Sequence, residues 1–272
     1  MSERDVVNET PGLPATMASL ASDLADLGVE TGAMILVHAS LSSLGWVCGG
    51  AVAVIEALSS AVGPGGTIVM PAMSWELSDP TDWEHPPVPR DWWPIIRRSM
   101  PAFDPQTTPT RQMGAIAECF RSYPGVLRSD HPHESFAAMG PHAGRITAEH
   151  PLEDGFGNRS PLGRLYDLQA NVLLLGVGHD RNSSLHLAEV RALGDTAPKL
   201  HTGAPVLIDG QRRWVEYSVQ AVDESDFPQL GRAFADATGL VRSGRIAQAH
   251  SMLMPQPALV DFGAEWLKVH RS

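Results

Sequence analysis

The densest run of chemically capable side chains is GVGHDRNSSLHLAE, residues 176–189. It follows VLLL (172–175), an apolar run that reads as a buried strand. Asn182 or Ser183 can cap a helix that starts near Leu185. His186 then lies in the first turn, and Glu189 is three residues on, on the same face. A histidine with a carboxylate beside it at a strand exit can do acid–base work. A buried histidine bonded to Glu189 for structural reasons fits the same spacing. His179, His186 and Glu189 can also be read as metal ligands, but their spacing matches no zinc signature.

A second run, HASLSSLG (38–45), follows the apolar MILV (34–37). Its hydroxyls and backbone N–H groups, with the N-terminus of the next helix, can hold phosphates. It fits neither GxGxxG nor GxxxxGK[ST], and a tight Gly/Ser turn is the plain alternative. His131-Pro132-His133 has a metal-like spacing, yet Pro132 speaks as readily for a shaped loop. Glu76, Asp79, Asp82, Glu84, Asp91 and Asp104 are mixed with Trp75, Trp83, Trp92 and Trp93. Together they can line a cleft for a polyamine or amino sugar; singly, each also fits a solvated loop carboxylate.

These runs need a scaffold, and the apolar pattern supplies one. Residues 1–14 read as a flexible tail, and 15–272 as one domain. Met17, Leu20, Leu24 and Leu27 mark a helix that Gly28 ends. Strand 34–37, helix 51–62 and strand 67–70 alternate as α/β layers with some parallel pairing. Residues 76–109, rich in proline and tryptophan, form a long irregular insertion, either a functional lid or a surface cover. A helix is expected over 111–120, partial helix over 134–148 and a hairpin over 204–219 around Asp209–Gly210. A helix then covers about 226–238, and 257–268 closes the chain with a strand and a short helix.

Composition narrows the function classes. Twenty basic residues against 31 acidic give a net charge of −11 over 272 residues, which argues against nucleic-acid binding. It suits a cationic partner, though an acidic surface also simply keeps a protein soluble. Cys48 and Cys119 are far apart, so neither a disulfide scaffold nor a cysteine metal cluster is expected. The N-terminal stretch has no apolar core of a signal peptide, and no run of 18 apolar residues exists. The expectation is a cytoplasmic enzyme without a membrane span.

Five stretches, in order, resemble the aminoglycoside 3-N-acetyltransferase family. They are LVHASLSSLG (36–45), GPGGTIVMPAMSW (63–75), RSDHPHESFAAMGPHA (128–143), SPLGRLY (160–166) and VLLLGVGHDRNSSLHLAE (172–189). The resemblance implies a layered α/β/α domain with a central mixed, partly parallel sheet, unlike the common small N-acetyltransferase fold. It implies acetyl-CoA as cosubstrate and no metal. Acetyl transfer to the 3-amino group of a 2-deoxystreptamine aminoglycoside, or to a related polyamine, follows from it. The pantetheine arm falls to His38, Ser40, Leu41, Ser42, Ser43, Leu44 and Gly45, with Ser160 and Pro161. The catalytic histidine falls on His186, with Glu189 as a carboxylate partner. Substrate contacts are expected from Glu76, Asp79, Asp180, Asn182, Glu216 and Asp223. Two alternatives stand beside this: an N-acyltransferase for another amine, and a non-catalytic binder of cationic ligands. Oligomeric state stays open.

Overall fold

A computed structural model describes residues 3–271. The expected tail contains a short helix, α1 (Glu3–Glu9). Thr10, just after it, accepts a hydrogen bond from the Trp46 N–H at 2.8 Å. The segment is therefore tied to the loop after the first strand.

α2 (Met17–Leu27) buries Leu20, Leu24 and Leu27 and ends at Gly28, as its apolar spacing requires. β1 (Met34–Ala39), α3 (Gly50–Val62) and β2 (Thr67–Pro71) follow. The irregular insertion is not helix-free: α4 (Trp93–Ser99) forms within it, with a proline in its first turn where no N–H is needed. α5 (Gly114–Arg121) comes next, then β3 (Leu127–Arg128) and β4 (Phe136–Met139). The partial helix expected over 134–148 is α6 (Ala143–Thr147); before it, FAAM packs as the buried strand β4. α7 (Pro161–Asp167), β5 (Asn171–Leu175) and α8 (Ser184–Leu193) carry the central motif. β6 (Lys199–Ile208) and β7 (Gln211–Gln220) make the expected hairpin, longer than its apolar core suggested. α9 (Phe227–Thr238), β8 (Arg242–Ile246), β9 (Ala249–Pro255) and α10 (Gln256–His270) end the chain. The closing strand and short helix expected over 257–268 are one continuous helix instead.

The main sheet runs β3-β4-β2-β1-β5-β9-β8, and β6–β7 stand apart as a two-stranded ribbon. β2, β1 and β5 are parallel; the flanking pairings are antiparallel. Side chains alternate across the sheet. Ile35, Val37, Ile68, Leu173 and Leu175 join one core with α2, α3 and α5. Leu36, Val69, Val172 and Leu174 join a second core with α6 to α10. Covering both faces is why these strands read as unbroken apolar runs. By the same alternation His38 leaves β1 on the face of Leu36, the side of α8.

The insertion is pinned rather than free. Arg97 makes two 2.8 Å hydrogen bonds to the Asp79 carboxylate. The Phe103 N–H donates to the Pro205 carbonyl, and Arg212 Nε donates to the Met100 carbonyl at 2.9 Å. Thr202 donates to Asp82 at 2.9 Å.

Next to it lies a buried polar cluster. His131 Nδ1 accepts from the N–H groups of His133 and Glu134, and Tyr217 bonds to His133 Nδ1 at 2.9 Å. His150 Nδ1 meets Ser129 at 2.9 Å. Burial drives His133 to about 4 and His150 to about 3, and holds His131 well below its ordinary 6.5. Burial pushes Glu134 up to about 8, so it keeps its proton. The 3.7 Å contact between His131 and Glu134 is then between neutral groups.

The histidines take up protons in the unfolded chain near 6.5 but resist them when folded. Their contribution to stability is complete above that pH and is lost as pH falls towards 3–4. Glu134 has the opposite sense: its contribution is complete below 4.5 and is lost as pH rises towards 8. The thermal midpoint is expected to fall as pH drops from about 6.5 to 4. Glu134→Gln should raise the midpoint relative to the parent at pH 8 more than at pH 5. Calorimetric scans across pH check both; a flat midpoint from pH 6.5 to 4 contradicts the assignment.

Candidate active site

The carboxyl ends of parallel strands β1 and β5 open into one cleft of about 1090 Å³. Such ends are where ligands sit in α/β sheets. The 38–45 loop forms one wall and the turn before α8 the other. His186 stands between them.

α8 begins because Asn182 Oδ1 accepts from the Ser184 N–H at 3.2 Å. One turn later, His186 Nδ1 lies 3.0 Å from Glu189 Oε2. A carboxylate oxygen accepts, so Nδ1 is the donor to Glu189, and in the neutral imidazole Nε2 then carries the lone pair. Phe156 stacks on the imidazole at 4.7 Å, and Phe227 tilts against it at 4.9 Å. The ring is thus fixed on two faces and at one nitrogen. Glu189, 1% exposed, accepts through Oε1 from the Asp223 N–H at 3.0 Å and from Arg271. His38, 4% exposed, also lines the cleft; burial and the neighbouring His186 lower it to about 3.

Among the expected cofactor-binding residues, His38, Ser40, Leu41, Ser42 and Gly45 line the cleft. Ser43 donates to Ser40 Oγ at 2.9 Å and shapes the loop from behind. Leu44 is buried in the core. Ser160 and Pro161 do not reach the cleft: Ser160 caps α7, accepting from Leu162 N–H and donating to the Gly157 carbonyl, and both are buried.

The expected acceptor residues fare differently. Asp180 lines the cleft, paired with Arg181 at 3.2 Å. Asn182 is buried and spent on starting α8. Asp79 is consumed by Arg97 and Thr81, which hold its carboxyl below the ordinary range against the opposing effect of burial. Glu76 is absent from the lining; its charge acts on Arg128. Glu216 lies out on the ribbon, 3.7 Å from His201. Asp223 is exposed, serves Glu189 through its backbone and closes a turn onto the Ser225 N–H.

His179 is a structural residue. Its ring packs so closely on α9 that a Cβ at Gly231 would fall 2.2 Å from it, and burial lowers it to about 4. The cleft also holds Glu224 and Arg111, which no sequence motif had marked, and Trp75 from the tryptophan-rich stretch. Trp75 is backed by His133 at 5.6 Å. Among the described residues, no group of three or more His, Cys, Asp or Glu side chains is arranged to hold a metal ion. No described helix is long and apolar enough to cross a membrane.

The family model for aminoglycoside 3-N-acetyltransferase matches residues 36–268. The chain belongs to the aminoglycoside 3-N-acetyltransferase family. It is 48% identical to the SPbeta prophage-derived aminoglycoside N(3')-acetyltransferase-like protein YokD of Bacillus subtilis, over 95% of this chain and 94% of that one. The crystal structure of YokD superposes with a TM-score of 0.95, covering 98% of both chains. Aminoglycoside N(3)-acetyltransferase IX of Micromonospora chalcea is 34% identical, with 98% of each covered. AAC-IIIb, solved as a binary complex with CoASH, is 34% identical with a TM-score of 0.84, covering 95% of this chain and 98% of that one. The layered α/β/α architecture is that of the aminoglycoside 3-N-acetyltransferases, not of the small N-acetyltransferase fold, and membership makes the chain an acetyltransferase.

Asp79→Asn separates a loop pin from an acceptor contact. Removing charge-assisted hydrogen bonds costs about 1–2 kcal/mol, so the thermal midpoint should fall by several degrees while the acceptor KM stays near that of the parent. A raised acceptor KM with an unchanged midpoint would return Asp79 to the cleft.

Proposed function

We propose that the chain transfers the acetyl group of acetyl-CoA to the 3-amino group of a 2-deoxystreptamine aminoglycoside, by direct attack with His186 as general base. The carrying observation is the His186–Glu189 pair, ring-packed at the wall of the cleft with Nε2 unclaimed by Glu189. An amine at neutral pH is mostly protonated and must lose a proton to attack. That first proton leaves to solvent, and His186 Nε2 takes a second from the nitrogen as it bonds to the thioester carbon. Glu189 then faces an imidazolium, which its charge stabilises. The C–S bond breaks, and the proton on His186 returns to the departing thiolate. The hydroxyls of Ser40 and Ser42 and the N–H groups of their loop suit the pantetheine arm and the carbonyl oxygen. CoASH in the related AAC-IIIb complex supports acetyl-CoA as the donor.

One observation favours a second reading. Among the described cleft residues, the carboxylates are Asp180 and Glu224, set against Arg111 and Arg181. An N-acyltransferase for a less cationic amine needs no more. A thiol-release assay across aminoglycosides and simple amines, with the product's position fixed by NMR, tests the first reading directly. Acetylation only of amines outside the deoxystreptamine ring overturns it.

His186→Ala should lower kcat by about 10²–10⁴-fold, the span of a general base, with both substrates still binding in calorimetry. The parent kcat/KM should rise from acid pH as the general base loses its proton, and this acid limb should be absent from the residual rate. A folded variant keeping more than about a tenth of the parent kcat contradicts the role.

A polycationic acceptor should also bind more weakly as salt rises, and Glu224→Gln should weaken it further without changing acetyl-CoA affinity. Calorimetry at two ionic strengths reads this. Salt-independent acceptor binding selects the second reading.

A further inference from the structure

The carboxylate that holds His186 is itself held by a residue far along the chain. α10 buries Leu259, Val260, Gly263, Ala264 and Leu267 in one stripe. A Cβ at Gly263 would lie 3.0 Å from that of Ala188, so glycine lets α10 close on α8. Arg271 follows Leu267 by one helical turn and so leaves on the same face.

There its guanidinium is divided among several acceptors. Nη1 donates to Glu189 Oε1, Nε donates to Asp226 Oδ2 at 2.8 Å, and Nη2 reaches Asp226 Oδ1 and the Asp223 carbonyl. The side chain is 15% exposed and faces the Phe227 ring at 5.9 Å. Arg271 therefore touches three supports of the imidazole: its carboxylate, the turn that donates the Asp223 N–H, and one of its two flanking rings. The titratable and charged groups around His186 are Glu189 on its own helix, His38 on β1, Asp223 before α9 and, one layer out, Asp226 and Arg271.

We propose that Arg271 is a positioning residue for His186: it clamps Glu189 Oε1, aims Oε2 at the imidazole, and offsets the carboxylate charge beside it. It touches no reacting atom. The kinetic consequence rests on His186 being the base; the clamp itself does not. Fork geometry matters as well as charge, because a guanidinium meets Glu189 and Asp226 at once in a way an ammonium does not.

The test reads His186 directly. Histidine NMR signals are followed through pH, with the His186 resonance assigned by its loss in His186→Asn. In Arg271→Met, an uncompensated carboxylate should move the His186 midpoint to higher pH by about one. kcat should fall as the midpoint moves, approaching about tenfold on the acid side of both midpoints and vanishing above them, with acetyl-CoA KM unchanged. Arg271→Lys keeps the charge and loses the fork: its midpoint should stay near that of the parent while kcat recovers only in part. Should Arg271→Met not fold, Arg271→Gln removes the charge while keeping a donor, and carries the same expected midpoint. A lowered thermal midpoint with the His186 titration unmoved overturns the proposal and leaves Arg271 as an anchor of α10. A His186 midpoint that moves without a matching move in the acid limb of kcat/KM upholds the clamp and overturns the base assignment.

Discussion

A buried carboxylate is the constraint on which the site depends. Glu189 is 1% exposed, and an ionised group at that depth is tolerated only where hydrogen bonds and opposite charge replace water. Its two oxygens are both in use: Oε2 on His186, Oε1 on the Asp223 N–H and Arg271. Each partner comes from a different segment, so satisfying one side chain draws α8, the turn before α9 and the end of α10 together. The same set of bonds fixes the histidine tautomer. In the proposed mechanism, folding and chemistry share a single electrostatic requirement.

The sheet sets where that requirement falls. Parallel β1 and β5 put two loops at one end, and each loop carries part of the cleft. His38 reaches the α8 side because strand residues alternate and Leu36, two before it, belongs to that core. The ribbon of β6 and β7 lies outside this sheet, yet it is bonded to the irregular insertion through Thr202, Pro205 and Arg212. The wall carrying Trp75 therefore rests on long-range contacts rather than on its own short turns.

What could be read from the chain alone was what is local. His186 and Glu189 are three residues apart, and one helical turn decides the pair. The apolar runs of β1, β2 and β5 announced burial on both faces. α4 was hidden because prolines dominate its surroundings, although one at a helix start does no harm. FAAM was hidden because alanines carry no clear period. Asp79 looked available until Arg97, 18 residues away, claimed it. Ser160 was assigned to the pantetheine arm by resemblance alone, and its hydroxyl is engaged in capping α7. Arg271 lies 82 residues from Glu189, and no motif spans that distance.

On the proposed reading, chemistry and recognition fall to parts of the molecule with different tolerance for change. His186 and Glu189 are built into a packed helix, where substitution disturbs rings, charges and backbone together. Asp180 and Glu224 stand on exposed turns, where a typical replacement alters stability by only about 0.5 kcal/mol. The rim can accept mutations one at a time while the reacting centre is kept. Under the proposed function, a lineage carrying this fold can change its acceptor amine at little cost to folding.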